Sequence, residues 1–185
     1  FLISCGSGGG SSSSPSSDAS SGDDLILTTF IKQLGWYNLD GARTYRTDDP
    51  RAATKDSSGN IYIAGDTYGN LFSRNGGNNT NDTDAFVFKI NSEGVLQWGS
   101  QIGTPEADSS ADGSEFVRGV AIDSSSSVFL CGHTNGSLGE ANGGNDDIFL
   151  AKFNSSGAFS WVKQLGSATL GGDSAGDDEV YGCDI

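Results

Sequence analysis

Methionine is absent from this 185-residue chain, histidine occurs once, proline three times, and Lys and Arg together number ten against 24 Asp and Glu. Each scarcity excludes something. A net charge of −14 argues against nucleic-acid backbones, because a phosphate binder needs Lys and Arg to displace counterions. An acidic surface of this kind favours solubility and weak attraction of cations. The single histidine, His133, cannot supply a histidine cluster, and no Ser–His–Asp spacing or phosphate-cradling glycine motif surrounds it. It reads as a surface-loop residue, and the chain reads as non-catalytic. No apolar run reaches the roughly eighteen residues of a transmembrane helix.

What the chain has instead is repetition, which decides the fold before any local motif does. The stretch DSSGNIYIAGDTYGNLFSRNGGNNTNDTDAFVFKINSEGVLQWGSQIG, from Asp56 to Gly103, returns as DSSSSVFLCGHTNGSLGEANGGNDDIFLAKFNSSGAFSWVKQLG, from Asp123 to Gly166. Asp56 and Gly65 answer Asp123 and Gly132 at a shift of 67, while Asp84, Gly94 and Trp98 answer Asp147, Gly157 and Trp161 at 63. The loop after Gly65 is four residues longer than its counterpart, which accounts for the change of shift.

Within each copy, short apolar bursts separated by turn formers give the all-β pattern of many short strands. In the second copy the strands are expected at 116–122, 128–132, 148–153 and 158–165, with turns at Asp123–Ser127 and Asn154–Gly157. In the first copy they are expected at 51–55, 61–64, 86–90 and 95–98. The opening strand here is weaker: Pro50 precedes it and Lys55 stands where Ile122 does, so it should be frayed or solvent-lined. Four antiparallel strands per unit is a propeller blade, and the apolar second and third strands suit sheets covered on both faces by neighbouring blades. The expected fold is an all-β propeller with two complete blades, about 48–103 and 115–166, inside a repeat region of 25–185. Within a lone outer strand at 28–35, Phe30–Gly35 matches Trp161–Gly166, and a lone first strand at 178–185 matches Glu115–Ile122. Closed propellers have about four to eight blades, so the chain is expected to be a fragment.

The segments DSSGNIYIAG, TDAFVFKINSEGVLQW and DDIFLAKFNSSGAFSWVKQLG resemble the bacterial beta-propeller repeats known as SBBP repeats, over about Phe30–Ile185. That resemblance implies a propeller and a surface or secreted protein, with no single activity and no catalytic residues to carry over. The N-terminus Phe1-Leu2-Ile3-Ser4-Cys5-Gly6 resembles the end of a bacterial lipoprotein signal peptide, residues 1–5, in which Cys5 would carry the lipid. By the same resemblance Gly6 favours the outer membrane, and the lipid would anchor the chain there. The tract 6–24 is Gly/Ser-rich, cannot bury enough apolar surface to order itself, and reads as a disordered tether spanning roughly 25 Å.

Calcium is the cofactor expectation. Asp108, Ser110, Asp112 and Glu115 offer oxygens near alternating positions around Gly113, a pattern that hard cations accept. The acids at 48, 115 and 178 recur at blade starts, however, and read equally as acceptors for turn backbones. Cys131 and Cys183 replace Ala64 and Val120 at core-like places. They read first as buried free thiols, with an inter-blade disulfide as the alternative. Trp98 and Trp161 recur at one blade position and should pack between blades. Trp36, Tyr37 and Tyr45 are candidates for a surface contact. The functional expectation is a surface-displayed scaffold whose long loops, 66–83 and 133–146, contact a protein or glycan. An envelope enzyme or an adhesin with its site in other blades is the alternative.

Overall fold

Both copies of the repeat form antiparallel sheets in the computed structural model, which describes residues 47–72, 74–75, 82–104, 113–167, 171–172 and 176–185. Cys5, the 6–24 tether, the 28–35 strand, Trp36, Tyr37, Tyr45, Asp108, Ser110 and Asp112 lie outside these residues.

The first sheet contains β1 (Asp48–Lys55), β2 (Ile61–Thr67), β3 (Arg74–Asn75), β4 (Asp84–Ile90) and β5 (Leu96–Ile102). The second contains β6 (Glu115–Ile122), β7 (Val128–Thr134), β8 (Asp147–Phe153) and β9 (Phe159–Leu165). The order is β1-β2-β4-β5-β3 in one and β6-β7-β8-β9 in the other, so each contains the four-stranded antiparallel meander of a blade. No α-helix occurs among the described residues. The strands mostly outrun their expected limits. β2 and β7 continue through Gly65-Asp66-Thr67 and Gly132-His133-Thr134, because those residues pair with the start of the third strand. The two-residue β3 has no counterpart in the expectation. It adds to β5 in parallel, with Arg74 opposite Gln101.

All four turns at one end of the blades share one construction. Asp56, Asn91, Asp123 and Asn154 each accept the amide of the residue three places on and donate to the carbonyl four places on. This closes a three-residue loop whose last residue must be left-handed. That residue is Gly59, Gly94 or Gly157 in three turns, with φ from 75° to 83°, and Ser126 in the fourth, with φ 61°. The Asx side chain reinforces each loop. Asp56 Oδ1, for instance, accepts from the Ser58 and Asn60 amides at 3.0 and 2.9 Å.

At the opposite end, each first strand carries a bulge opposite a glycine. Pro50 faces Gly65 and Ala52 faces Ala64, which leaves Arg51 as the extra residue. Val117 faces Gly132 and Gly119 faces Cys131, which leaves Arg118 as its repeat partner. The bulge brings a backbone carbonyl, Asp49 O or Phe116 O, against the glycine, so a Cβ at Gly65 or Gly132 would collide with it. The edge position of β1 and its bulge also explain how Pro50 is accommodated within a strand. As expected, β1 is solvent-lined: Arg51, Ala53 and Lys55 are exposed.

One apolar cluster joins the sheets, drawing on Tyr62, Ala64 and Val87 from the first and on Val117, Val120, Leu130 and Phe149 from the second. Full burial of such a side chain is worth about 1.5–3 kcal/mol, so this shared face is the main stabilising contact between blades. Phe86, Phe88 and Ile90 occupy the opposite face of the first sheet. Among the described residues it is Leu71 and Phe72, from the chain's own β2–β4 loop, that cover them, rather than a neighbouring blade.

Three expectations need correction. His133 is not a surface-loop residue: it is an interior residue of β7 and only 4% exposed. Cys131 and Cys183 are not free thiols but are joined, with Cα atoms 6.1 Å apart. Their chain separation of 52 residues conceals a proximity that only blade stacking creates. The 178–185 segment contains no strand, although Asp178 donates to Asp146 O (2.7 Å) just as Glu115, at the head of β6, donates to Thr83 O (2.9 Å). A first strand pairs with the second strand of its own blade, and no such strand lies beside this segment among the described residues.

Ser126 is the only non-glycine with positive φ among the described residues. Ser126→Gly removes the left-handed strain and should stabilise the chain by about 0.5–1 kcal/mol. Urea denaturation checks this; unchanged or lower stability would contradict the turn assignment.

Candidate functional site: the long-loop end and the blade junctions

The two ends of each blade differ in chemistry. One end has only the three-residue turns. The other carries the β2–β4 connection (68–83), the β5–β6 connection (103–114) and the β7–β8 connection (135–146).

The long connections are clasped to their sheets in the same way in both blades. Gln101 Nε2 donates to the Asp84 carboxylate and, at 2.8 Å, to Gly69 O, while its Oε1 accepts from the Phe72 amide at 3.0 Å. In the second blade Gln164 Nε2 donates to Asp147 Oδ2 and Gly136 O, both at 2.8 Å, and its Oε1 accepts from the Gly139 amide at 3.2 Å. Asp84, Asp147 and both glutamines are buried. Buried polar groups of this kind call for hydrogen-bond partners, and the Asp–Gln pair ties the root of each loop to a fixed place, although Asp147 Oδ1 itself has none among the described residues. Beyond the root the loop is freer: Glu140, Ala141 and Asn145 are exposed. The expected display loops therefore include residues that are not displayed. Asp66, Thr67, His133 and Thr134 are buried strand residues.

A second recurring device links one blade to the next. Glu115 is fully buried, accepting from Thr104 Oγ1 (2.6 Å) and the Thr104 amide (3.3 Å) of the β5–β6 connection and from Thr134 Oγ1 (2.9 Å) of β7. The other blade starts repeat parts of it. Thr67 Oγ1 donates to Asp48 Oδ1 at 2.5 Å, and the Ser167 amide and hydroxyl both donate to Asp178 Oδ2 at 2.6 Å. The acids at 48, 115 and 178 thus act as hydrogen-bond acceptors at blade starts. Of the four residues read as calcium ligands, only Glu115 is among the described residues, and its oxygens face these threonines.

Two stretches, residues 29–73 and 97–140, match the SBBP family, described as a beta-propeller repeat. Over these two stretches the chain is similar to SBBP beta-propeller repeats. No curated protein matches it. The second match runs from within β5 through β6 and β7 to the middle of the following loop, so the matched unit straddles a blade boundary and includes Thr104, Glu115 and Thr134. The two sheets are blades of a partial beta-propeller. Trp98 behaves as expected for a residue between blades: its Nε1 donates to Ser155 O (3.2 Å) and its ring lies against Gly157 of the second blade's turn. Trp161 meets Phe129 edge-on and remains 37% exposed.

The junction that follows the second blade departs from the first. At the first, Asp66 Oδ1 accepts from the Val117 amide (2.6 Å) and Oδ2 from Arg51 Nε (2.7 Å). Burial raises the pKa of Asp66, and these two donors oppose the shift. At the second, His133 replaces Asp66, and its ring stacks on Phe116 with centroids 5.0 Å apart. Burial, helped by the positive charge of Arg118, lowers the pKa of His133 and favours neutral imidazole, against the opposing fields of Asp146, Glu179 and Asp66. Sequence reasoning missed this environment, although the 67-residue shift that pairs His133 with Asp66 was available as a signal.

Burial holds the Glu115 carboxyl well above the usual carboxylate range, against the opposing hydrogen bonds from Thr104 and Thr134. The folded state therefore keeps a proton that the unfolded chain releases near pH 4.3. This contribution to stability is complete below about pH 4.3 and is lost as pH rises through the folded value. Glu115→Gln does not titrate. The stability difference, native minus variant, should fall as pH rises from about 4 to 8; a flat or rising difference in parallel urea titrations would contradict it.

Proposed function

We propose that the chain is a non-catalytic binding scaffold, displayed on the bacterial outer membrane through a lipid on Cys5 and presenting its long-loop end to a protein or glycan. The observation that carries this reading is the asymmetry of the blades. One end is closed by minimal Asx turns, while the other bears connections of 16 and 12 residues held at their roots by buried Asp–Gln pairs. A rigid sheet that fixes loop roots and leaves loop tips exposed suits recognition. The Gly/Ser tract 6–24 would separate such a head from the membrane, and the lipobox resemblance of Leu2-Ile3-Ser4-Cys5 supports the address. Calcium at Asp108, Ser110, Asp112 and Glu115 is retained as part of this proposal, as a way of ordering the β5–β6 connection.

The test uses cells producing the chain. Cys5→Ser should abolish incorporation of labelled palmitate and move the protein from the membrane to the soluble fraction. Purified protein is then screened against envelope proteins and a glycan panel. Replacing residues 137–142 with a Gly/Ser segment should reduce any specific binding at least tenfold, while replacing Ser124–Ser125 at the turn end should leave it unchanged. The opposite pattern, or palmitate incorporation that persists in Cys5→Ser, would contradict the proposal.

A further inference from the structure

The second junction contains a set of groups that the scaffold reading does not use. His133, Asp146 and Glu179 each present one ligand atom, and these atoms all lie within 4.8 Å of one another. We propose that they form a binding site for a divalent first-row transition ion, of which zinc is the representative.

Three independent observations support the site. His133 is 96% buried by its 4% exposure, and its Nδ1 has no hydrogen-bond partner. An interior imidazole with a free nitrogen is costly unless something takes its lone pair or proton.

Second, all three residues break the repeat. His133 stands at the position of Asp66, Asp146 at that of Thr83 and Glu179 at that of Phe116. At the first junction these positions serve the protein itself: Asp66 binds Val117 N and Arg51, and Thr83 Oγ1 donates to Glu115 O. The second junction keeps the backbone plan, with Asp178 N on Asp146 O, but exchanges three side chains for an imidazole and two carboxylates that converge.

Third, Cys131 and Cys183 also occupy this junction, at the positions where the first has Ala64 and Val120. Their bond lies two residues from His133 and four from Glu179, and it holds the segment bearing Glu179 against β7.

The donor set indicates the class of ion. Imidazole nitrogen with two carboxylates suits zinc and its first-row neighbours, whereas calcium takes six to eight oxygens. The charged groups facing the imidazole are Arg118, Asp146, Glu179 and Asp66. The two ligand carboxylates outweigh the single guanidinium, so the site attracts a cation before the imidazole binds it. Ligand atoms on a tetrahedral zinc stand about 3.3 Å apart. Glu179 is exposed, its Oε2 accepting from the exposed Tyr181 hydroxyl at 2.9 Å, and Asp146 is partly exposed, so both carboxylates can move to close the gap around an ion.

The experiment titrates zinc alone into the 185-residue chain against a chromogenic chelator. Glu179→Gln and Asp146→Asn serve as variants because neither side chain is buried in the core. One equivalent of zinc should bind, each variant should weaken it at least tenfold, and equimolar calcium should not displace it. The variants should keep the native melting temperature without metal, which separates ligand loss from unfolding. Failure to bind one equivalent, affinity unchanged in both variants, or displacement by equimolar calcium would each overturn the proposal.

Discussion

The carboxyl group at the start of a blade, buried between the end of one sheet and the second strand of the next, is the constraint on which the rest of this structure depends. Glu115 receives two donors from Thr104 and one from Thr134. Because the folded carboxyl keeps its proton, its hydrogen bonds contribute about 0.5–1.5 kcal/mol each, while burying this polar group and holding its proton at neutral pH costs a comparable amount. The terms nearly cancel. The clasp therefore adds little net stability, and the apolar face shared by Tyr62, Val87, Val120 and Phe149 supplies most of it. What the carboxyl adds is register. An apolar face is non-directional, whereas a buried acid with three fixed donors admits one alignment of the blades.

Once the junction is in register, the ends of the blades follow. The bulges that re-aim Arg51 and Arg118, the glycines opposite them and the Asp–Gln clasps all lie at the long-loop end. The other end is reduced to short turns. The result is a rigid body whose variable chemistry is confined to one edge. Function on a repeat fold can then arise by changing side chains at positions the backbone already holds. The second junction does this, with His133, Asp146, Glu179 and the bonded cysteines standing where the first has Asp66, Thr83, Phe116, Ala64 and Val120.

The meander and its turns were legible in the sequence because their signals are local. Asp56-Ser-Ser-Gly59 and Asn154-Ser-Ser-Gly157 encode the loop and its left-handed residue in four positions. Strand ends were less legible. Gly65-Asp66-Thr67 looks like the start of a loop, yet the pairing of Thr67 with Asp84 keeps it in the sheet. The junction was the least legible part. Nothing local in Glu115 distinguishes a buried clasp from a cation ligand, and Cys131 and Cys183 meet only because blades stack. His133 was misread for the same reason: its burial comes from Phe116 and the following segment, not from its sequence neighbours.

The most direct test of the junction account is a double-mutant cycle between Glu115 and Thr104, read by urea denaturation. Thr104→Val removes the hydroxyl donor at nearly constant shape, and Glu115→Ala removes the acceptor. If the carboxyl joins one blade to the next, the two changes should be non-additive by about 1–2 kcal/mol. Additive effects, with a coupling energy within about 0.3 kcal/mol of zero, would mean that the blades are held by their apolar face alone and that the buried acid does not set their register.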